Sequence, residues 1–246
     1  MKKSSDSFPS SLRYLHLKNC SSTQDSIKNV TPEWFLLRAD RQKSGRGQKD
    51  RTWRSPEGGL YYSVKFPDPS TDQGHTPRYL LRAARQWVRL LQERFPDHRE
   101  HFRLKWPNDL LYKNSKLGGF IGEKSGDNVF VGIGINGNNQ FVDADETDFR
   151  LPPVSLRTIT GESQNMGKLL MDWYRRFRSV IGEEAAGDPP DFSAIENCMR
   201  TIGRTVRYRD RVGDVVGLAP NGGLEILLEG ERHIAHRTDD VEVLES

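Results

Sequence analysis

Strands interleaved with two amphipathic helices, followed by short strands alone, predict an α+β fold. A large domain is expected over residues 1–200 and a small β-barrel over 201–246. Three observations carry the prediction. Apolar runs of strand length recur between turn residues, among them WFLLRA (34–39), LYYSVKF (60–66) and NVFVGIGINGN (128–138). Apolar side chains fall at helical spacing in two places: Leu80, Leu81, Ala84, Trp87, Val88 and Leu91, then Leu169, Leu170, Trp173, Phe177, Val180 and Ile181. From Ile202 onward, short strands alternate with turns, and Asn221-Gly222 is a strong hairpin signal. Closure or near-closure into a barrel would remove the exposed edges of this last stretch.

The first residues are Ser-rich, and LRYLHL (12–17) is the first strand. In NCSSTQDSIKN, Ser21, Ser22 or Thr23 can cap a short helix, with Asp25 in its first turn, where negative charge suits the helix dipole. WFLLRA leads into a glycine-rich loop and LYYSVKF leads out of it, so sheet holds the loop at both ends. A polar Pro/Gly linker (67–77) precedes the first amphipathic helix, which runs to Phe95 and whose stripe is core. In FRLKWPNDLLY (102–112), Pro107 has no place in a central ladder, so Lys105, Asn108 and Asp109 form a polar knot at a turn between two strands. SKLGGFIGEK (115–124) and NVFVGIGINGN pair across the turn SGD. Gly118, Gly119, Gly122, Gly132 and Gly134 weaken strands, and their density calls for close approach of a ligand or another backbone. A pair of bulged strands would account for those glycines but not for Lys116 and Asn136. Residues 139–164 are an acidic, Pro-containing connection, the second amphipathic helix follows, and GDPPD (187–191) leads to a short helix around Phe192–Met199.

Composition narrows the function classes. The chain has 246 residues, a formal charge of +3 and a pI near 8.8, far from the one-signed field of a dedicated nucleic-acid binder. Its two cysteines, Cys20 and Cys198, offer no disulfide framework and have no partners at metal-ligand spacing. The N-terminus has no apolar run behind its lysines, so no secretory signal is read there, and nowhere do eighteen apolar residues run together. The expectation is a soluble, cytoplasmic protein.

The chemistry concentrates in KSGRGQKDRTW (43–53). Gly45 and Gly47 alternate with Ser44 and Arg46, and Arg51 and Trp53 follow. Backbone amides in such a loop form concave donors for anions, and guanidinium groups add paired hydrogen bonds to carboxylate or phosphate. The stretch is therefore an anion clamp ending in an aromatic platform. A solvated basic loop is the plainer alternative for these residues taken alone.

The ordered strings SSTQ, SGRGQKDRTWRSPEGGLYYS, KWPNDLLY, KLGGFIGE and GIGIN, with a small terminal barrel behind them, resemble the biotin protein ligase family from about residue 14 onward. The resemblance implies a mixed central sheet with helices on one side, related to class II aminoacyl-tRNA synthetases and lipoate ligases, and a Src-homology-3-like C-terminal barrel. It also implies a two-step reaction. Biotin's carboxylate attacks the α-phosphate of ATP, giving biotinyl-5'-AMP and pyrophosphate with Mg²⁺. A lysine of a biotin carboxyl carrier protein, as in acetyl-CoA carboxylase, then displaces AMP. By resemblance, Lys116 and Arg46 are the catalytic pair. Ser22, Thr23, Gln24, Gln42, Gly45 and Gly118 join them at the biotin side, Gln48, Arg51, Trp53, Asn108, Asp109 and Asn136 lie at the nucleotide side, and Asp109 is the candidate metal ligand.

Departures from the family pattern are Gln24 in place of asparagine, Gln48 in place of a second arginine, and Asp50 in place of glycine. The arginine helps retain the adenylate in the family, so a leakier intermediate is expected here. With the glycine loop near residue 43 there is no room for an N-terminal helix-turn-helix domain, and the expectation is a monofunctional ligase that does not bind DNA. The sequence pattern leaves a homodimer open. The alternatives are a lipoate or octanoate ligase of the same fold, or a non-enzymatic binding module.

Overall fold

The computed structural model describes residues 13–30, 34–48, 51–69, 77–141, 151–185 and 192–244. Seven strands, β1 (Arg13–Cys20), β2 (Phe35–Gln42), β3 (Leu60–Pro67), β4 (Phe102–Lys105), β5 (Asp109–Tyr112), β6 (Ser115–Ser125) and β7 (Asn128–Ile135), form one sheet in the order β1-β2-β3-β7-β6-β5-β4. β1 and β2 run parallel and every other neighbouring pair is antiparallel, so the sheet is mixed. Helices α2 (Pro77–Arg94) and α4 (Met166–Ala185) pack against each other and contribute their apolar stripes to the main core. Trp87 and Trp173 lie at its centre with their polar edges matched: Trp87 Nε1 donates to the Tyr62 hydroxyl at 2.8 Å and Trp173 Nε1 to the Ala83 carbonyl at 2.9 Å. Neither tryptophan touches the functional cleft, as their helical spacing implied.

Alternation along β3 and β7 separates the two faces of the sheet. Tyr62, Val64 and Phe66 with Val129, Val131, Ile133 and Ile135 belong to the helix-side core. On the opposite face Phe130 packs in a small second cluster with Ile27 and Leu37, and Gly132 and Gly134 make the floor described below. The short helix α1 (Thr23–Ser26) sits over this face and continues as a 3₁₀ turn through Asn29.

A second, antiparallel sheet is built from β8 (Thr205–Tyr208), β9 (Arg211–Leu218), β10 (Leu224–Leu228), β11 (Glu231–Ala235) and β12 (Val241–Val243) in the order β11-β10-β9-β8-β12. Its inner residues, Val206, Val215, Leu224, Ile226 and Leu228 among them, are buried and merge with the main core. A parallel bridge between Leu104 and Met199 joins it to the edge of the large sheet, with Leu104 N donating to the Cys198 carbonyl at 2.8 Å and Arg200 N to the Leu104 carbonyl at 2.7 Å. Trp106 adds two links, from its amide to Thr201 Oγ1 at 3.2 Å and from Nε1 to the Gly222 carbonyl at 3.0 Å.

Two local expectations change. The connection 139–164 contains a helix, α3 (Leu156–Thr160), capped by Ser155, whose hydroxyl accepts from Thr158 N, and ended by left-handed Gly161. Ser22 does occupy the cap position of α1 but makes no side-chain cap bond. The rest of the acidic connection, residues 142–150, lies outside the described residues, as do Asp50, GDPPD and most of the 67–77 linker.

Candidate active site

A cleft of about 810 Å³ opens on the sheet face opposite α2 and α4 and reaches the joint with the second sheet. It draws together most of the residues singled out from the sequence: Ser22, Thr23, Gln24, Gln42, Arg46, Gln48, Arg51, Trp53, Asn108, Asp109, Lys116 and Asn136 all line it. Gly45 and Gly118 do not. Each is small because something packs on it: a Cβ on Gly45 would stand 2.7 Å from Ser55 Oγ, and one on Gly118 2.6 Å from Ile135 Cδ1.

One end of the cleft is a buried polar network. Gln42 Oε1 accepts from the Thr23 amide at 2.8 Å and the Thr23 hydroxyl at 3.1 Å, while Gln42 Nε2 donates to Ser55 Oγ at 2.8 Å. The Ser63 hydroxyl lies 3.0 Å from both Thr23 Oγ1 and Gln24 Oε1, and Gln24 Nε2 donates to the Phe130 carbonyl at 3.2 Å. Gln24 reaches this far because Gly132 leaves room: a Cβ there would stand 2.6 Å from Gln24 Oε1. Ser22 is 1% exposed and its hydroxyl has no partner. A buried hydroxyl left unmatched carries a cost that a hydrogen-bonding ligand removes. Ser63, a polar residue inside the apolar run LYYSV, was the one local hint of this network that sequence reasoning passed over.

The glycine loop is a hairpin. Gly47 N donates to the Arg51 carbonyl and Trp53 N to the Gly45 carbonyl, each at 2.7 Å. This lays the half-buried Trp53 indole flat against the sheet, where Cβ atoms on Gly134 and Gly119 would stand 2.5 Å and 3.0 Å from the ring. Trp53 Nε1 is buried without a partner. The glycine density read from the sequence thus serves close approach of side chains, Trp53 and Gln24, in addition to neighbouring backbone.

Lys116 stands over this floor. Its Nζ is 2.6 Å from Asp109 Oδ1 and 5.4 Å from the Trp53 ring centroid. A bulge between Leu110 and Leu111 shifts the β5–β6 register, so Lys116 shares a face with Gly119 although the two are three residues apart. Its backbone is clamped: the amide donates to the Pro152 carbonyl at 2.8 Å, and the carbonyl accepts from Val154 N at 3.0 Å and Asn136 Nδ2 at 3.1 Å. Asn108 Nδ2 likewise donates to the Phe120 carbonyl at 2.9 Å. Both asparagines are therefore braces for the strand that carries the lysine, with their amide oxygens left over.

Arg46 lies at the mouth, 2.8 Å from Asp25 Oδ1 and 2.7 Å from Glu123 Oε1, with Lys28 also paired to Glu123. Burial opposes its charge, but Glu123 and Asp25 outweigh that and hold its pKa above the ordinary arginine value. The described lining of the rest of the cleft includes Arg51, Arg54, Lys105, Arg200 and Arg204 beside the acids Asp109 and Glu242. Arg200 and Arg204 carry no sequence signal, because a bridge between distant segments brings them here. Among the described residues no three His, Cys, Asp or Glu side chains gather at metal-binding distance, and no helix is long and apolar enough to cross a membrane.

Residues 20–138 match the Biotin/lipoate A/B protein ligase family. Over 212 residues the chain is 29% identical to the Bifunctional ligase/repressor BirA of Bacillus subtilis, spanning 81% of this chain and 63% of that protein's length. Its structure superposes on the biotin protein ligase from Aquifex aeolicus in complex with biotin and ATP with a TM-score of 0.80 and 28% identity, covering 95% of this chain and 99% of that one. The biotin protein ligase of Leishmania major in complex with biotinyl-5-AMP shares the fold, with a TM-score of 0.63 at 23% identity over 97% of this chain and all of that one.

Proposed function

We propose that the chain is an ATP-dependent biotin protein ligase, supported by the Biotin/lipoate A/B protein ligase family match of residues 20–138 and by the likeness to solved biotin protein ligases. The observation that carries this reading is Lys116 Nζ, held between the Asp109 carboxylate and the Trp53 indole in the cleft that also holds the buried polar network. In the first step a carboxylate oxygen of biotin attacks the α-phosphorus of ATP and pyrophosphate leaves. In the second, a lysine amine of the carrier attacks the acyl carbon of biotinyl-5'-AMP, AMP leaves and the amine loses a proton.

The residues fit these demands. The ring system of biotin needs matched donors and acceptors in an apolar surround, which Ser22 and the Thr23–Gln24–Gln42 network offer. Two anions must meet in the first step, and Lys116 with Arg46 would neutralise both, Arg46 by exchanging Asp25 or Glu123 for the ligand. Trp53 would carry the adenine, with Gln48 and Arg51 beside it. Gly45 would act indirectly, through its tight contact with the loop, and Gly118 through the packing of β6 on β7. The donor set suits Mg²⁺, since Asp109 and the amide oxygens of Asn108 and Asn136 are hard ligands. Among the described residues no three carboxylates gather there, and the ion would be carried mainly by substrate phosphates, whose charge it would neutralise. The acceptor would be a biotin carboxyl carrier protein, such as that of acetyl-CoA carboxylase, in the cytoplasm. The catalytic machinery is assigned to residues 1–200 and an accessory part to 201–246.

Isotope exchange between pyrophosphate and ATP tests the reading, run with biotin, lipoate, octanoate or no acid. Exchange that needs biotin and is lost in Lys116→Ala is expected. Exchange with lipoate or octanoate instead would replace the substrate, and no exchange with any acid would leave a binding module.

A further inference from the structure

We infer that Ser55 is a positioning residue that couples the acid subsite to the nucleotide platform, making the binding of biotin and of nucleotide cooperative; this rests on the ligase reading above. Ser55 is 8% exposed and is not one of the described residues that line the cleft. Its hydroxyl nevertheless joins the two parts of the site. A backbone amide can only donate, so the Thr23 N–H fixes Gln42 Oε1 as the acceptor, at 2.8 Å, and turns Gln42 Nε2 toward Ser55. Nε2 donates to Ser55 Oγ at 2.8 Å. The hydroxyl proton is then left for the Trp53 carbonyl, 3.1 Å away, which can only accept. The chain therefore has one sense from end to end: Thr23 amide, Gln42 carboxamide, Ser55 hydroxyl, Trp53 peptide.

Packing leaves this chain little slack. Gly45 lies against three of its atoms: a Cβ there would stand 2.4 Å from the Trp53 carbonyl oxygen, 2.7 Å from Ser55 Oγ and 2.9 Å from Gln42 Nε2. The Gly45 carbonyl in turn accepts from Trp53 N at 2.7 Å, so both polar groups of the Trp53 backbone are fixed at this point. The indole beyond them rests directly on Gly134. A shift of the Gln42 carboxamide is thus passed on to the platform, because close-packed neighbours transmit strain. A ligand ring that hydrogen-bonds to Thr23 or Gln42 holds the carboxamide in this rotamer, and the nucleotide then meets an indole already in place. The ordering cost is met once for two ligands, and the resulting coupling is reciprocal.

Equilibrium titrations test this with biotin and with α,β-methylene-ATP, an analogue whose α–β linkage cannot be cleaved. In the wild-type protein each ligand is expected to tighten the other by the same factor, about fivefold or more. In Ser55→Ala that factor should fall below about twofold. Ser55→Cys, whose thiol hydrogen-bonds weakly, should fall in between, and it carries the test if the alanine variant does not fold. Tyr61→Phe is the control. The Tyr61 hydroxyl donates to the Pro56 carbonyl at 2.8 Å, so its loss loosens the same loop without breaking the chain, and the wild-type factor should be kept. Weaker binding of both ligands in Ser55→Ala with the factor retained would show a brace alone and overturn the inference. Loss of the factor in Tyr61→Phe would overturn it too, as would wild-type binding of both ligands with no coupling. Failure of the underlying reading is distinguishable, because then the wild-type protein binds no biotin at all.

Discussion

Gly134→Ala is the sharpest single test of how the cleft floor is built. A methyl at that position would stand 2.5 Å from both Cε2 and Nε1 of Trp53. Carbon contacts settle near 3.5–4.0 Å, so the indole has to lift by about 1 Å. Its neighbours restrict that movement: Trp53 N is bonded to the Gly45 carbonyl at 2.7 Å, and its carbonyl accepts from Ser55 Oγ at 3.1 Å. Lys116 Nζ lies 5.4 Å from the ring centroid. Overpacking of this kind costs about 1–3 kcal/mol. The ring is half-buried on a hairpin and can yield, so little of the cost should reach global stability. Most should appear where the platform is used. If about 2 kcal/mol falls on nucleotide binding, affinity drops roughly thirtyfold, at about 1.4 kcal/mol per decade. The assay is the KM for ATP in the exchange reaction beside a thermal melt. A KM within twofold of wild type, with an unchanged Tm, would refute the placement of Trp53 on Gly134 as a nucleotide platform.

Other outcomes can be checked on the same preparations. Gly182→Ala, at an exposed position of α4 where an added Cβ meets nothing, should stabilise by about 0.5–1 kcal/mol and raise Tm by roughly 1–4 °C, as read by calorimetry. Gln24→Asn shortens a side chain that is 1% exposed, losing about 0.8 kcal/mol for the methylene and about 1 kcal/mol for one of its two hydrogen bonds; a urea midpoint equal to wild type would contradict the network. Burial pushes the Cys198 thiol up to about 11, against an ordinary value near 9. Its folded pKa is the higher one, so its contribution to stability is complete below pH 9 and is lost as pH rises from about 9 to 11. Cys198→Ala should flatten that part of a denaturation–pH curve, and the native thiol should resist iodoacetamide at pH 8 until urea is added. Gln48→Arg should reduce escape of biotinyl-5'-AMP, scored by labelling of free lysine acceptors.

Much of the site was legible because its residues cluster in short, chemically distinctive strings: the glycine loop, the KWPND turn and the KLGG strand each put several cleft residues within a few positions. The turn between β4 and β5 followed from Pro107 alone, and both long helices from their apolar period. The rest is non-local. Nothing near residue 13 says that β1 lies parallel to β2, and nothing near residue 200 says that Arg200 stands beside Lys105; those depend on which strand edge each segment meets. Glu123 and Asp25, which hold Arg46, are unremarkable as sequence and become visible only when α1 and β6 come together at the mouth. Helix α3 escaped because LRTIT is short and rich in β-branched residues, although Ser155 and Gly161 mark its two ends. Of the three candidate caps Ser21, Ser22 and Thr23, Ser22 takes the cap position, but its hydroxyl makes no cap bond and is buried without a partner.

The Trp106 indole, whose N–H ends on the Gly222 carbonyl, has a consequence for anyone recombining this chain with a relative. The turn bearing Gly222 belongs to the second sheet, while Trp106 sits at the edge of the first, 5% exposed. A chimera that exchanges residues 205–244 for those of a relative inherits an acceptor at this spot only if the incoming hairpin places a carbonyl there. Otherwise a buried donor is stranded at about 1–3 kcal/mol, close beside Lys105 and Arg200. The two sheets are therefore interchangeable parts only together with the hairpin that meets this tryptophan.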